Sequence, residues 1–312
     1  MPLSAIHRLL RTGAVFVDGK ASAASCRVRT GQTITVDFSY AEDSPRRAQA
    51  RSSGAQARST DESALEILYE GNGLLAVNKP AGLAVHGPCI GKSLEETVRE
   101  YLEPKLIPSL SFRPGPLHRL DRPSSGLIFF STSLEGARFF SSLMRERKIK
   151  KYYLALLEGV IEKDEIWEDE LSRDKKTMKT VRAAKTLASS DEKKERPKPA
   201  LTSIKPLLQN DKCSLVMAEI ETGRTHQIRA QAAGHGHPLL GDKKYGGKAL
   251  NRSSGFMLHA WRLEFPSAIP LQVFNLQVPR VIEAPVPKAF LEKIKEMFGD
   301  EKSRIIIQEE KI

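Results

Sequence analysis

Between residues 39 and 63 the chain carries Ser, Ala, Arg and Gln and almost no large apolar side chain, and this gap constrains what the rest can fold into. Such a segment cannot bury enough surface to offset the entropy of ordering it, so it reads as a flexible linker. The chain is thereby divided into a short piece, 1–38, the linker 39–63, a large piece, 64–299, and a charged tail, 300–312. A chain of 312 residues is long enough for one large domain plus a smaller one. Lys and Arg number 49 against 38 Asp and Glu, a net charge of +11 that points to a polyanionic partner.

Several classes are disfavoured early. Cys26, Cys89 and Cys213 are far apart and form no CxxC pair, so neither a zinc site nor a disulfide framework is expected. The first residues, MPLSAIHRLLRTG, have no continuous apolar core of a signal peptide. No run approaches the ~18 apolar residues of a membrane span. The expected location is the cytoplasm, with no membrane partner.

In the N-terminal piece, Leu3, Ile6, Leu9 and Leu10 recur at helical spacing. A strand, 13–17, then runs into Asp18-Gly19, a strong hairpin signal, and residues 33–38 alternate as a second strand. In the large piece, strands are expected at 65–69 and 74–82 around the turn 70–73, then a helix from Ser93 to about Leu102. A second helix carries Leu134, Ala137, Phe140, Leu143 and Met144 on one stripe. Further strands are expected at 151–157, 201–207, 213–221, 257–265 and 273–278, with a closing helix over 286–298. Residues 172–185 hold Arg173, Lys175, Lys176, Lys179, Arg182 and Lys185, and read as an exposed basic excursion; 191–199 reads as a charged loop. The segment 87–93 mimics a P-loop, but has three residues between its glycines where the phosphate cradle needs four.

Two stretches carry chemistry. In 117–127, Asp121 sits among His118, Arg119 and Arg122, ahead of Ser124-Ser125-Gly126 and an apolar run. Arginine charges within ~4–6 Å would hold the carboxylate ionised, and an ionised Asp can act as a nucleophile. The plainer alternative is a turn built by Asp121 and Pro123. In 222–229, Thr222-Gly223 makes a turn between a strand and a helix, and Arg224 and Arg229 make its entry anion-friendly. His226, His235 and His237 invite a metal, but no HExxH or Cys pairing accompanies them, so no metal is expected.

Taken together these stretches resemble the RluA-type RNA pseudouridine synthases. His118-Arg-Leu-Asp121-x-x-Ser-Ser-Gly126 is similar to their HRLDxxTSG signature, with Ser124 in place of Thr. Asn78–Gly82 resembles NKPxG, Lys151-x-Tyr153-Leu154-Ala155 resembles KxYxA, and Gly223–Arg229 resembles GRxHQ[IL]R. Gly241-Asp242-x-x-Tyr245-Gly246 resembles GDxxYG, and Leu258-His259-Ala260 resembles LHA. Residues 1–38 resemble the end of an S4-type RNA-binding domain.

The resemblance implies an α+β fold: a mixed, mostly antiparallel sheet with flanking helices and a central catalytic cleft, plus a small, partial S4-like α/β segment. It implies isomerisation of uridine to pseudouridine in structured RNA by a monomer without cofactor. Asp121 would be the catalytic carboxylate. Tyr153 would stack on the flipped base and help remove the C5 proton. Arg229 would pair with Asp121 and Ile228 would pack on the base. His118, Arg119, Arg224, His226 and Gln227 would complete the substrate site. The S4-like segment favours large-subunit ribosomal RNA as substrate. Transfer RNA is the alternative within the class, and a non-catalytic RNA-binding or assembly protein the alternative outside it.

Overall fold

The computed structural model describes residues 9–10, 13–22, 26–36, 65–87, 91–105, 112–174, 177, 179–182, 196–250, 255–267 and 278–301. The expected linker, most of the first helix, residues 273–277 of the strand expected at 273–278, Lys175, Lys176, Lys185 and the tail from 302 lie outside them. The chain divides into two compact units.

The N-terminal unit is a three-stranded antiparallel sheet, ordered β2 (Lys20–Ala21), β1 (Val15–Val17), β3 (Ile34–Val36). Asp18 and Gly19 turn the β1–β2 hairpin, both in the left-handed region. The Asp18 carboxylate accepts from the Thr33 N–H at 2.9 Å and the Gln32 amide at 2.8 Å, which ties the turn to the start of β3.

The large unit is built on one mixed sheet. Its strands are β4 (Ile67–Gly71), β5 (Leu74–Lys79), β6 (Gly115–Pro116), β7 (Ser125–Ser131), β8 (Lys150–Glu158) and β9 (Glu165–Arg173). They are followed by β10 (Thr180–Arg182), β11 (Lys198–Gln209), β12 (Cys213–Ile220), β13 (Leu258–Glu264) and β14 (Val281–Glu283). The order is β10-β9-β11-β12-β8-β13-β7-β5-β4, with β14 beside β13 and β6 beside β7. Of the pairings, only β13 with β7 is parallel. The mostly antiparallel α+β architecture is therefore the one expected.

Period-two alternation divides the core between the faces of the sheet. Leu75 and Val77 of β5, Ile128 and Phe130 of β7, and Tyr153, Ala155 and Leu157 of β8 point to one face. There they meet α1 (Leu94–Leu102) and Ile228 of α3 (Gln227–Gly234). The intervening Leu74, Ala76, Leu127 and Phe129 pack with Phe139, Phe140 and Leu143 of α2 (Leu134–Arg145). Leu154 and Leu156 pack with Phe290 and Ile294 of α4 (Lys288–Phe298). Helix α1 begins at the Ser93 cap, whose hydroxyl and backbone form a reciprocal capping box with Glu96.

Three sequence expectations change here. On α2 the buried face is Gly136, Phe139, Phe140 and Leu143, while Leu134 is exposed. The helix is rotated because Gly136 lies flat against the Gly73 backbone in the β4–β5 turn, where any side chain would collide. The basic stretch 172–185 is not a free excursion: Arg173 ends β9 and 180–182 form β10 beside it. Strand β9 was hidden because its alternation is chemically inverted. Asp169 is buried between Trp167 and Leu171, while Ile166 is 73% exposed. Likewise 198–199, read as loop, open β11.

The β7–β13 parallel contact is what brings residues 124–126 close to the second half of the chain. Gly126 has φ +110° and lies against the Ala260 backbone with no room for a β-carbon. Gly126→Ala combines a strained backbone with overpacking, so it should destabilise the protein by about 3 kcal/mol or more. A urea midpoint within experimental error of wild type would refute that reading of the contact.

Candidate active site

Asp121 lies on the loop between β6 and β7, where the Ser124 N–H bonds to its backbone carbonyl at 3.1 Å. The loop is held from beneath by Lys79, fully buried at the end of β5. Its ammonium donates to the carbonyls of Pro80 and Leu83 at 2.9 Å and of Arg122 at 3.2 Å. Burial pushes the Lys79 pKa down to about 7, against the opposing charge of Asp121. Arg122 and Gly82 close the same loop through two 2.8 Å bonds, Arg122 Nε to the Gly82 carbonyl and the Gly82 N–H to the Arg122 carbonyl.

The arginine that holds the Asp121 carboxylate therefore comes from elsewhere in the chain. Arg229 Nη1 donates to Asp121 Oδ2 at 2.8 Å. Its fork is used on a different acid: Nε and Nη2 donate to the two oxygens of buried Asp242 at 2.6 and 2.9 Å. The guanidinium carbon lies 4.8 Å from the Tyr245 ring centre and 4.3 Å from that of Phe256. Burial alone would lower the Arg229 pKa, but bonds to Asp242 and Asp121 outweigh it and hold the group charged.

Helix α3 aims Arg229 because its other polar side chains are locked into the sheet. Gln231 donates to the Trp167 carbonyl at 2.8 Å and Asp169 at 2.9 Å, and accepts from Thr202 at 2.6 Å. The Gln227 amide bonds Thr222, the Arg224 N–H, the Leu201 carbonyl and Thr202. Buried polar groups paired this fully fix a helix in both rotation and height.

A cleft of about 290 Å³ opens over these groups, lined by Asp121, Tyr153, Ile228, Arg229 and all five other residues expected at the substrate site. Within it, their polar atoms differ in availability. Tyr153 is 9% exposed, and burial followed by the Asp121 charge pushes its phenol pKa up, so it stays neutral. Ile228 is buried in the wall beside it. Arg119 is exposed at the rim. Gln227 has its amide fully engaged inside the fold. His118 accepts the Phe129 N–H at 3.0 Å and stacks on Phe140, so its Nε2 braces β7; burial, then Lys151, push its pKa down to about 3. Arg224 Nε donates to the Pro199 carbonyl at 3.0 Å, turned away from Asp121.

The three histidines of 226–237 go to separate tasks. His226, in the left-handed region at the start of α3, places Nε2 3.8 Å from Asp121 Oδ1. Its Nδ1 lies 2.9 Å from the Tyr245 hydroxyl, which accepts the Thr180 N–H at 2.8 Å. Burial, against the Asp121 charge, brings the His226 pKa down to about 4, leaving the ring neutral at pH 7. His235 binds Asp169 at 3.0 Å and stacks on Trp167, and His237 bonds the Glu158 carbonyl at 2.9 Å. Arg182 joins the same Asp169 and caps the Gly234 carbonyl, so it fastens β10 to α3.

Asp242, Lys79 and Tyr245 are thus site-building residues that residue-by-residue reading did not single out. Their motifs were visible, but their bonds cross 13 to 65 positions of chain.

Residues 73–234 match the RNA pseudouridylate synthase family. A tRNA pseudouridine synthase C of Haemophilus ducreyi is 33% identical, over 68% of this chain and 89% of that protein. A ribosomal large subunit pseudouridine synthase D of Neisseria meningitidis is 31% identical, over 86% of this chain and 70% of that one. The structure of human RNA pseudouridylate synthase domain containing 1 shares the fold, with TM-score 0.58 at 24% identity, covering 78% of this chain and 91% of the human one. A family match over half the chain, with relatives this similar over most of their length, means that the chain belongs to the RNA pseudouridylate synthases, enzymes that convert uridine in RNA to pseudouridine.

Proposed function

We propose that the chain acts on large-subunit ribosomal RNA, with Asp121 as its catalytic carboxylate. The observation that carries the catalytic assignment is the Arg229–Asp121 bond at the floor of the cleft. It fixes one oxygen of a carboxylate that lines the cleft together with Tyr153 and Ile228, the other oxygen lying 3.8 Å from His226 Nε2. A uridine flipped out of structured RNA fits such a pocket, its lost stacking offset by contacts there. Attack by Asp121 breaks the bond from N1 to C1′, the freed uracil turns, and C5 takes over C1′ as the carboxylate is released. The C5 proton then leaves, and N1 ends protonated. Because the Tyr153 phenol is neutral, its part in that last step is a relay, accepting one proton while giving up its own.

Ribosomal RNA is favoured by the extent of the match. The Neisseria protein aligns with more of this chain than the second unit contains, so the alignment extends into residues 1–64, whose first part resembles an S4-type domain. The Haemophilus protein, named for transfer RNA, matches 68% of the chain and needs no such extension. The test is to incubate the protein with a large-subunit ribosomal RNA transcript and, separately, with transfer RNA transcripts. New pseudouridines are then mapped by carbodiimide-dependent reverse-transcription stops. Stops confined to ribosomal RNA are the expected result, and stops confined to transfer RNA would reverse the substrate assignment.

A further inference from the structure

Lys151 has no role in the chemistry above, yet it faces the same cleft. It stands on β8 two residues before Tyr153 and is only 8% exposed. Among the described residues, no hydrogen bond or ion pair engages its ammonium. The nearby end of α2 does not serve it either. Three of the last four carbonyls of that helix, those of Ser142, Leu143 and Met144, already accept from the N–H groups of Glu146, Lys148 and Arg147. Burial, then the like charge of Arg147, bring its pKa down to about 8. A lysine largely withdrawn from water without a counter-charge costs free energy that an arriving anion would offset.

We propose that Lys151 binds a phosphate of the RNA strand, the one flanking the uridine whose base lies against Tyr153. This inference rests on the functional reading above. Side chains two apart on one strand face are separated by about 7 Å. That is comparable to the span of one sugar between the base of a nucleotide and its phosphate. The ligand is an anion and not a base carbonyl, because Lys151 stands among cations: Arg147 acts on it, and exposed Arg119 lies on the rim of the same cleft. Asp121, the one anion among the described residues that line the cleft, is already engaged by Arg229. A phosphate there would fix the sugar relative to Asp121, which is what orients C1′ for attack.

The test uses the full chain and a stem–loop around the uridine mapped above. Methylphosphonate replaces the phosphate on its 5′ or its 3′ side, removing one charge at a known place. Lys151→Met keeps the length and shares the cleft lining with the apolar Leu117 and Met144, so it should fold as wild type, checked by thermal unfolding. Losing a charge-assisted hydrogen bond should cut kcat/KM on the unmodified stem–loop about tenfold to a hundredfold. Methylphosphonate on one side should cost the wild type a similar factor and cost Lys151→Met almost nothing. Lys151→Arg should keep most of the wild-type activity. The proposal is overturned if Lys151→Met retains full activity, or if it loses as much as wild type at both linkages. It also falls if the wild type converts no uridine in the unmodified stem–loop, a result that condemns the functional reading itself.

Discussion

Asp121→Asn is expected to abolish pseudouridine formation while leaving RNA affinity close to that of the wild type. The asparagine carbonyl can still accept from Arg229 Nη1, the bond now made at 2.8 Å, so the floor of the cleft keeps its shape. Arg229 itself hardly moves, because its fork remains on Asp242. What disappears is an anionic oxygen able to attack or take up a proton. Single-turnover rates should fall by about 10⁴-fold or more, the scale seen when a nucleophile is removed and the binding site stays. Affinity for RNA is dominated by contacts of basic side chains with phosphates, and a carboxylate makes none of these. Turnover by Asp121→Asn within tenfold of wild type, with contaminating enzyme excluded, would remove Asp121 from the reaction. A parallel collapse of affinity would instead make it a binding residue.

The elements that sequence patterns reported well are those whose reasons are local. The Asp18-Gly19 hairpin, the Ser93 N-cap, the strand that carries Tyr153 and the closing helix each depend on a few adjacent residues. The elements that sequence patterns concealed depend on partners far away in the chain. β9 buries Asp169 because Gln231, His235 and Arg182 converge on it from 62, 66 and 13 residues away, and no window over 165–173 contains that fact. The same limit operated at the site. Asp121 has Arg119 and Arg122 as sequence neighbours, so local reading assigned it their charge. Folded, Arg122 bonds Gly82, Arg119 faces outward, and the partner is Arg229, 108 residues on. Only the resemblance between motifs could supply that pair. Even so, it did not show that the planar fork of Arg229 would be taken by Asp242.

That arrangement makes Arg229 a bridge between two acids, which separates its structural from its catalytic contribution. Arg229→Ala would leave Asp242, 2% exposed, as a buried charge without its partner. Breaking such a pair costs about 3–5 kcal/mol, so loss of activity by this variant alone would be uninformative. Arg229→Lys keeps a charge but has no fork, so it cannot reach both carboxylates at once. Its rate should fall about a hundredfold or more, since Asp121 loses its one charged tether. The decisive variant is Arg229→Met with Asp242→Leu, which removes both members of the pair and leaves apolar side chains against Phe256 and Tyr245. Replacing a buried pair by apolar groups of similar volume is often neutral or stabilising, so the urea midpoint should return to near the wild-type value. Activity should stay lost, because nothing then holds Asp121 Oδ2. If stability and turnover both return in the double variant, Arg229 serves only to neutralise Asp242, and the carboxylate of Asp121 works without it.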